Sequence, residues 1–160
     1  VRADDGRYVR IDTSKRDMLR DTLQDIGDEP AVVFCRFRAD LDAVHEACRS
    51  LDIHSYELSG RRDDLAAWRA GAGQVLAVQI SAGGTGVDLT RARYALYYSL
   101  TFSLGEYDQS RSRIHRPGQK RPVEYIHLVT RHTVDEVIMR ALEKRREVVD
   151  EIMEHMRHKP

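Results

Sequence analysis

The residue pattern predicts an α/β fold: a parallel sheet with helices on both faces, closed by a long C-terminal helix. Three observations predict it. Short β-rich apolar runs alternate with segments whose apolar residues recur at helical spacing. Glycine-bearing turns follow several of the apolar runs. The stretch from Val134 to about Met156 is one amphipathic segment. Alternating strands and helices imply right-handed crossovers and a sheet buried on both sides. In such folds ligands sit at the carboxyl ends of the strands.

Taken in order, Tyr8 to Ile11 reads as a short strand. Ser14 followed by Asp17 opens a helix as a near capping box, with Asp for the usual Glu or Gln. Met18, Leu19, Leu23 and Ile26 supply its apolar face, and Gly27 and Pro30 end it. Ala31 to Phe34 is a buried strand. Leu41, Val44, Ala47, Cys48 and Leu51 mark the next helix, and Ile53 to Leu58 the next strand, with Ser59 and Gly60 as its exit turn. A short helix over Leu65 to Ala70 carries Trp68, read as core. Val75 to Ile80 is a strand leading into the glycine loop 81–86. Tyr94 to Leu100 is a strand, Glu106 to His115 a helix stopped by Pro117 and Gly118, and Val123 to Val129 the last strand. The final helix presents a stripe of Val134, Val137, Ile138, Ala141, Leu142, Val148, Val149, Ile152 and Met153, expected to bracket the domain.

The chain has 160 residues, 41% hydrophobic and 32% charged, a globular composition sized for one domain. No apolar run approaches the roughly 18 residues of a membrane span, and no leader pattern opens the chain. Val1 in place of Met reads as excision from a longer polypeptide. The 26 basic and 26 acidic side chains balance, which argues against a simple basic DNA clamp. The balance is uneven along the chain: Arg111, Arg113, Arg116, Lys120 and Arg121 fall in one segment with no acid among them. Cys35 and Cys48 lack paired spacing and read as reduced thiols. The seven histidines show no ligand spacing, so no metal site is expected.

Two features carry chemistry. In the segment from Gln109 to Gln119, Arg113 and Arg116 stand three apart, which on a helix puts them on one face. Two guanidiniums side by side repel unless an anion lies between them, and phosphate suits them because guanidinium grips its oxygens bidentately. The plainer alternative is a pair of surface arginines matched to carboxylates. In the loop Ser81, Ala82, Gly83, Gly84, Thr85, Gly86, glycines permit positive φ and exposed N–H groups can cradle phosphate oxygens. The plainer alternative there is a tight turn.

Gln109, Arg113, Arg116, Gly118 and Gln119 resemble motif VI of superfamily-two helicases, most closely that of the Swi/Snf-type translocating ATPases. The loop from Ser81 through Asp88 to Leu89 resembles motif V of the same family, with Asp88 where Asn is usual. Ala31 to Arg38 resembles motif IV, and Tyr56 to Gly60 the strand and turn that meet a backbone phosphate. The resemblance runs from about Lys15 to Arg146. It implies a RecA-like second motor lobe over 14–146, with 1–13 a remnant of the interlobe connection and 147–160 continuing the last helix. It implies Arg116 as arginine finger with Arg113 its partner, and Gly86, Asp88 and Gln109 beside the nucleotide. DNA-backbone contacts are implied at Arg36, Arg38, Ser59, Gly60, Ser81, Ala82 and Gly83. The implied ligands are ATP and Mg, bound mainly by a preceding N-terminal lobe of the same polypeptide, with the isolated domain inactive and monomeric. Tyr97 to Leu104 and the string His115 to Gln119 resemble phage and bacterial members, which implies a cytoplasmic, bacterial or phage setting.

The sequence contains no G-x-x-x-x-G-K-[ST] element and no Asp-Glu pair in a DExH context. Those elements bind the ATP phosphates and hold Mg²⁺. A competing expectation is a non-catalytic nucleic-acid-binding module. It does not require Arg113 and Arg116 at this spacing. A self-contained nucleotide-binding enzyme is disfavoured because no phosphate loop follows the first strand.

Overall fold

The computed structural model describes residues 13–82, 86–117 and 121–157. The expected strand at Tyr8 to Ile11 and the site candidates Gly83, Gly118 and Gln119 lie outside them. The elements run α1 (Ser14–Ile26), β1 (Ala31–Cys35), α2 (Arg38–Arg49), β2 (Ser55–Leu58), α3 (Leu65–Arg69), β3 (Val75–Gln79), β4 (Tyr94–Tyr97), α4 (Leu104–Ile114), β5 (Glu124–His127) and α5 (Val134–Arg157). One 3-10 turn, Ile80–Ala82, follows β3. The sheet has order β2-β3-β1-β4-β5 and every pairing is parallel, as expected for a RecA-like lobe.

β1 is central and all five of its residues are buried. Ala31 lies level with Val75 on one side and Tyr94 on the other. Side chains alternate along it, as the pleat requires. Ala31, Val33 and Cys35 join Leu19, Leu23, Leu41, Val44 and Cys48 under α1 and α2. Val32 and Phe34 join Trp68, Leu89, Ile114, Ile138 and Leu142 under α3, α4 and α5. Helices therefore cover both faces. Trp68 is core as expected, fully buried with its indole N–H donating to the Gln74 carbonyl at 3.1 Å.

Several boundaries differ from the sequence reading for local reasons. The N-cap of α1 is Thr13, whose hydroxyl donates to Asp17 at 3.0 Å; Ser14 is already helical. β2 starts at Ser55 because Asp52 takes φ +55° and the Ile53 N–H closes on the Cys48 carbonyl at 2.9 Å, ending α2. β4 stops at Tyr97 because Ser99 turns to Asp40, donating to it at 2.6 Å. α4 starts at Leu104 because the Ser103 hydroxyl accepts from the Glu106 N–H. The stripe on α5 packs at Ile138 and Leu142 only; Val134, Val137, Val148, Val149, Ile152 and Met153 are each about half exposed. A helix of 24 residues spans roughly 36 Å and overruns a sheet of four- and five-residue strands.

Candidate functional site

The expected site residues fall into two groups. The first lies at the carboxyl ends of β2, β3 and β1, which are consecutive in the sheet. Arg36 and Arg38 follow β1, Ser59 and Gly60 follow β2, and Ser81 and Ala82 follow β3. The loops therefore form one row. Arg36 and Arg38 are exposed, and among the described residues neither forms an ion pair. The Arg36 N–H donates to Ser99 at 2.7 Å and the Phe37 N–H to Asp40 at 3.0 Å, so the backbone of this loop is pinned while its guanidiniums face outward. Phe37, 53% exposed under the Arg36 guanidinium, adds an aromatic platform that the sequence reading passed over. An aromatic between two arginines was its visible signal.

Ser59 is different. Its hydroxyl donates to the Glu57 carboxylate and accepts the Arg61 N–H at 3.1 Å. Glu57 is 1% exposed and also takes Arg61 Nε at 2.8 Å and His45 Nε2 at 2.9 Å. An ionised carboxylate only accepts, so His45 carries its proton on Nε2 toward Glu57. Burial pushes the Glu57 pKa up, but hydrogen bonds from Arg61, Ser59 and His45 outweigh it and bring the value down to about 2. The unfolded chain thus binds a proton on Glu57 at a higher pH than the folded one does. Stability from this group is full above the usual carboxylate range and is lost as pH falls toward about 2. Denaturant titrations between pH 5 and pH 3 should show wild-type stability falling with acid more steeply than that of Glu57→Gln. Equal slopes would contradict the assignment. This cluster was not found from the sequence; its signal was a carboxylate inside a strand with Arg four residues on.

The second group lies on the flank of the sheet. The loop after β3 passes down to Leu89 and Ala92, which precede the amino end of β4, and α4 runs antiparallel to the strands to meet it. The Leu89 N–H donates to the Arg113 carbonyl at 3.0 Å, and Arg116 Nη2 to the Val87 carbonyl at 3.0 Å. Val87 and Leu89, which follow the glycine loop, meet Arg113 and Arg116 on this flank and not at the carboxyl ends, because residues 87–92 already belong to the crossover to β4. Nor do the arginines share a helical face: α4 ends at Ile114, so Arg113 is in its last turn and Arg116 follows in extended chain.

Arg113 is 3% exposed and Nη2 donates to Gln109 Oε1 at 3.3 Å, one turn back on α4. Burial and then the Arg116 charge lower its pKa, so the two cations sense each other. Among the described residues no carboxylate stands at ion-pair distance from Arg116. The nearby Asp88 pairs with Arg69 at 3.1 Å and accepts the Thr90 N–H and hydroxyl at 3.0 and 2.7 Å. Those Thr90 bonds, ahead of the Arg69 and Arg116 charges, hold the Asp88 pKa below its ordinary value. Asp88 therefore orders the loop. Gly86 takes φ +111° with open space where a Cβ would stand. Gly86→Ala should destabilise the domain by about 1–3 kcal/mol through backbone strain alone. An unchanged denaturant midpoint would show that the loop relaxes without that φ.

The described residues include no group of three or more His, Cys, Asp or Glu able to hold a metal. No described helix is long and apolar enough to cross a membrane. The chemistry offered on the flank is one of cations set beside a glycine loop.

A five-stranded parallel sheet with these loops defines a RecA-like lobe. The model of the helicase conserved C-terminal domain matches residues 14–118, and the chain belongs to that family. The chain is 33% identical over 138 residues to the DNA repair protein RAD5 of Eremothecium gossypii, covering 78% of this chain and 13% of that protein. It is 30% identical over 149 residues to a Drosophila melanogaster protein, covering 89% of this chain and 17% of the relative. That relative is the SWI/SNF-related matrix-associated actin-dependent regulator of chromatin subfamily A containing DEAD/H box 1 homolog. The crystal structure of the C-terminal part of the Fun30 ATPase domain superposes with a TM-score of 0.72 at 23% identity, covering 80% of this chain and 44% of that one. That likeness establishes the fold. The chain spans between 5 and 21% of the length of the curated relatives it matches. These relatives are mostly eukaryotic, with Bacillus subtilis also represented, so the expected phage or bacterial origin is not supported.

Proposed function

We propose that this chain is the C-terminal motor lobe of an ATP-dependent DNA translocase. The observation that carries the reading is Arg116. Its guanidinium is anchored by a neutral carbonyl beside Gly86, next to the buried Arg113, with no carboxylate to neutralise it among the described residues. A surface ion pair would have one. An arginine with no ion-pair partner among the described residues is suited to an anion arriving from outside the lobe.

In this reading ATP lies in a cleft between this lobe and a preceding one, which supplies the phosphate loop, Mg²⁺ and the water-positioning carboxylate. Water attacks the γ-phosphoryl group and ADP leaves. Arg116 meets the charge developing on the transferred group, Arg113 supports it, and Gln109 orients Arg113. Gly86 and Asp88 shape the loop between them. DNA runs along the row of loops at the carboxyl ends of β2, β3 and β1, held through its phosphates by Arg36, Arg38 and the backbone at Gly60, Ser81 and Ala82. The glycine loop has one end in each group, so closure on nucleotide can move the DNA row. The reading is tested by ATP hydrolysis in the intact protein with and without DNA. Turnover should rise with DNA and fall to background in Arg116→Ala; hydrolysis indifferent to both would reject it.

A further inference from the structure

Among the described residues, Glu57 is the most deeply buried charged group that the mechanism above leaves unused. It organises the turn that follows β2. The Ser59 N–H donates to the Arg62 carbonyl at 2.8 Å, and Leu58 bridges Asp63, so the chain doubles back at once. The Glu57 N–H donates to Asp64 at 3.0 Å and the Asp64 N–H returns to the Glu57 carbonyl at 2.9 Å. Inside that hairpin Glu57 Oε1 takes Ser59 and Arg61 Nε, and Oε2 takes Arg61 Nη2 at 3.1 Å. Arg61 Nη2 also reaches Asp42 at 2.6 Å, and Arg62 pairs with Asp64.

A hydroxyl has one proton, and that of Ser59 is given to Glu57. A phosphate oxygen only accepts, so the Ser59 side chain has nothing left to donate to it. Arg61 is doubly matched by Glu57 and Asp42, and Arg62 is matched by Asp64. Among the described residues the Gly60 N–H has no partner, and the space where a Cβ would stand on Gly60 is open. We infer that Glu57 is a positioning residue for backbone binding: it withdraws Ser59 and Arg61 from the nucleic acid and leaves the Gly60 N–H as the phosphate donor of this turn. The inference rests on the reading of the loop row as the DNA-facing edge.

The test is DNA affinity of the intact protein against salt, with a random-sequence duplex as probe. The logarithmic slope counts neutralised phosphates at about 0.9 each. Arg61→Ala should leave the slope unchanged, and Ser59→Ala should leave affinity within about twofold. Glu57→Gln should release Arg61 toward the DNA. The slope should steepen by about one phosphate and low-salt affinity should rise several-fold, while DNA-stimulated turnover falls because the turn is no longer held. A purely structural carboxylate would weaken affinity and turnover together. A slope shallower by about one in Arg61→Ala, or a tenfold loss of affinity in folded Ser59→Ala, would overturn the assignment even if Glu57→Gln does not fold. If Arg36→Ala and Arg38→Ala also leave the slope unchanged, the DNA-facing edge itself is misplaced and the inference falls with it.

Discussion

Arg116→Ala in the intact protein is expected to lower DNA-stimulated ATP turnover by roughly 10³ to 10⁵, or about 4 to 7 kcal/mol of transition-state stabilisation. The loss belongs in kcat more than in ATP binding, because the charge that Arg116 meets develops during transfer. DNA affinity should be retained, since the row of loops after β1, β2 and β3 does not include Arg116. Arg116→Lys should rescue little: the Val87 carbonyl holds one arm of a planar fork, the other has no partner among the described residues, and ammonium has no second arm. As an ordinary surface residue, Arg116 would contribute at most about 1 kcal/mol of stability and nothing to turnover. Near-normal turnover in a folded Arg116→Ala protein would therefore remove it from the mechanism.

Arg113→Ala is expected to cost both rate and stability. The side chain is 3% exposed, and the Arg113 carbonyl takes the Leu89 N–H, so its stem contributes to the packed interior. Truncation should destabilise by about 1–3 kcal/mol, within the usual range for a buried side chain that makes hydrogen bonds. It should also reduce turnover at least as severely as a lost supporting cation. Gln109→Ala separates the two effects. Gln109 is exposed, so its loss should spare stability, but Arg113 Nη2 loses its oriented acceptor and turnover should fall. Arg131→Ala, at an exposed position outside the segment, should lie within about 0.5 kcal/mol of wild type in stability and leave turnover intact. A turnover defect in Arg131→Ala as large as that in Arg113→Ala would mean that the effect is general charge and not placement.

Much of the fold was legible because its determinants are local and repetitive. The all-apolar run of β1 announced a strand buried on both faces, and the helical spacing of Leu41, Val44, Ala47 and Cys48 announced α2. What could not be read was tertiary. Glu57 stands in a strand pattern that also holds Ser55, so nothing local marks it; its partner His45, and Asp42 that pairs with Arg61, are on α2, brought there by the crossover from β1 to β2. The place where Arg113 and Arg116 meet the glycine loop was also hidden. It depends on where α4 stops, and Ile114 ends the helix before the second arginine. The exposed half of α5 was misread because periodicity shows which residues share a face, not whether a sheet lies beneath them.

The central claim is that this lobe completes an ATPase without containing one. The most direct measurement is the steady-state ATP hydrolysis of residues 1–160 alone, at saturating DNA and Mg²⁺, beside that of the intact protein. The account predicts no turnover above background for 1–160 and DNA-stimulated turnover for the intact protein. DNA-stimulated hydrolysis by 1–160 that disappears in Arg116→Ala would contradict it, because a single lobe would then hold the whole site.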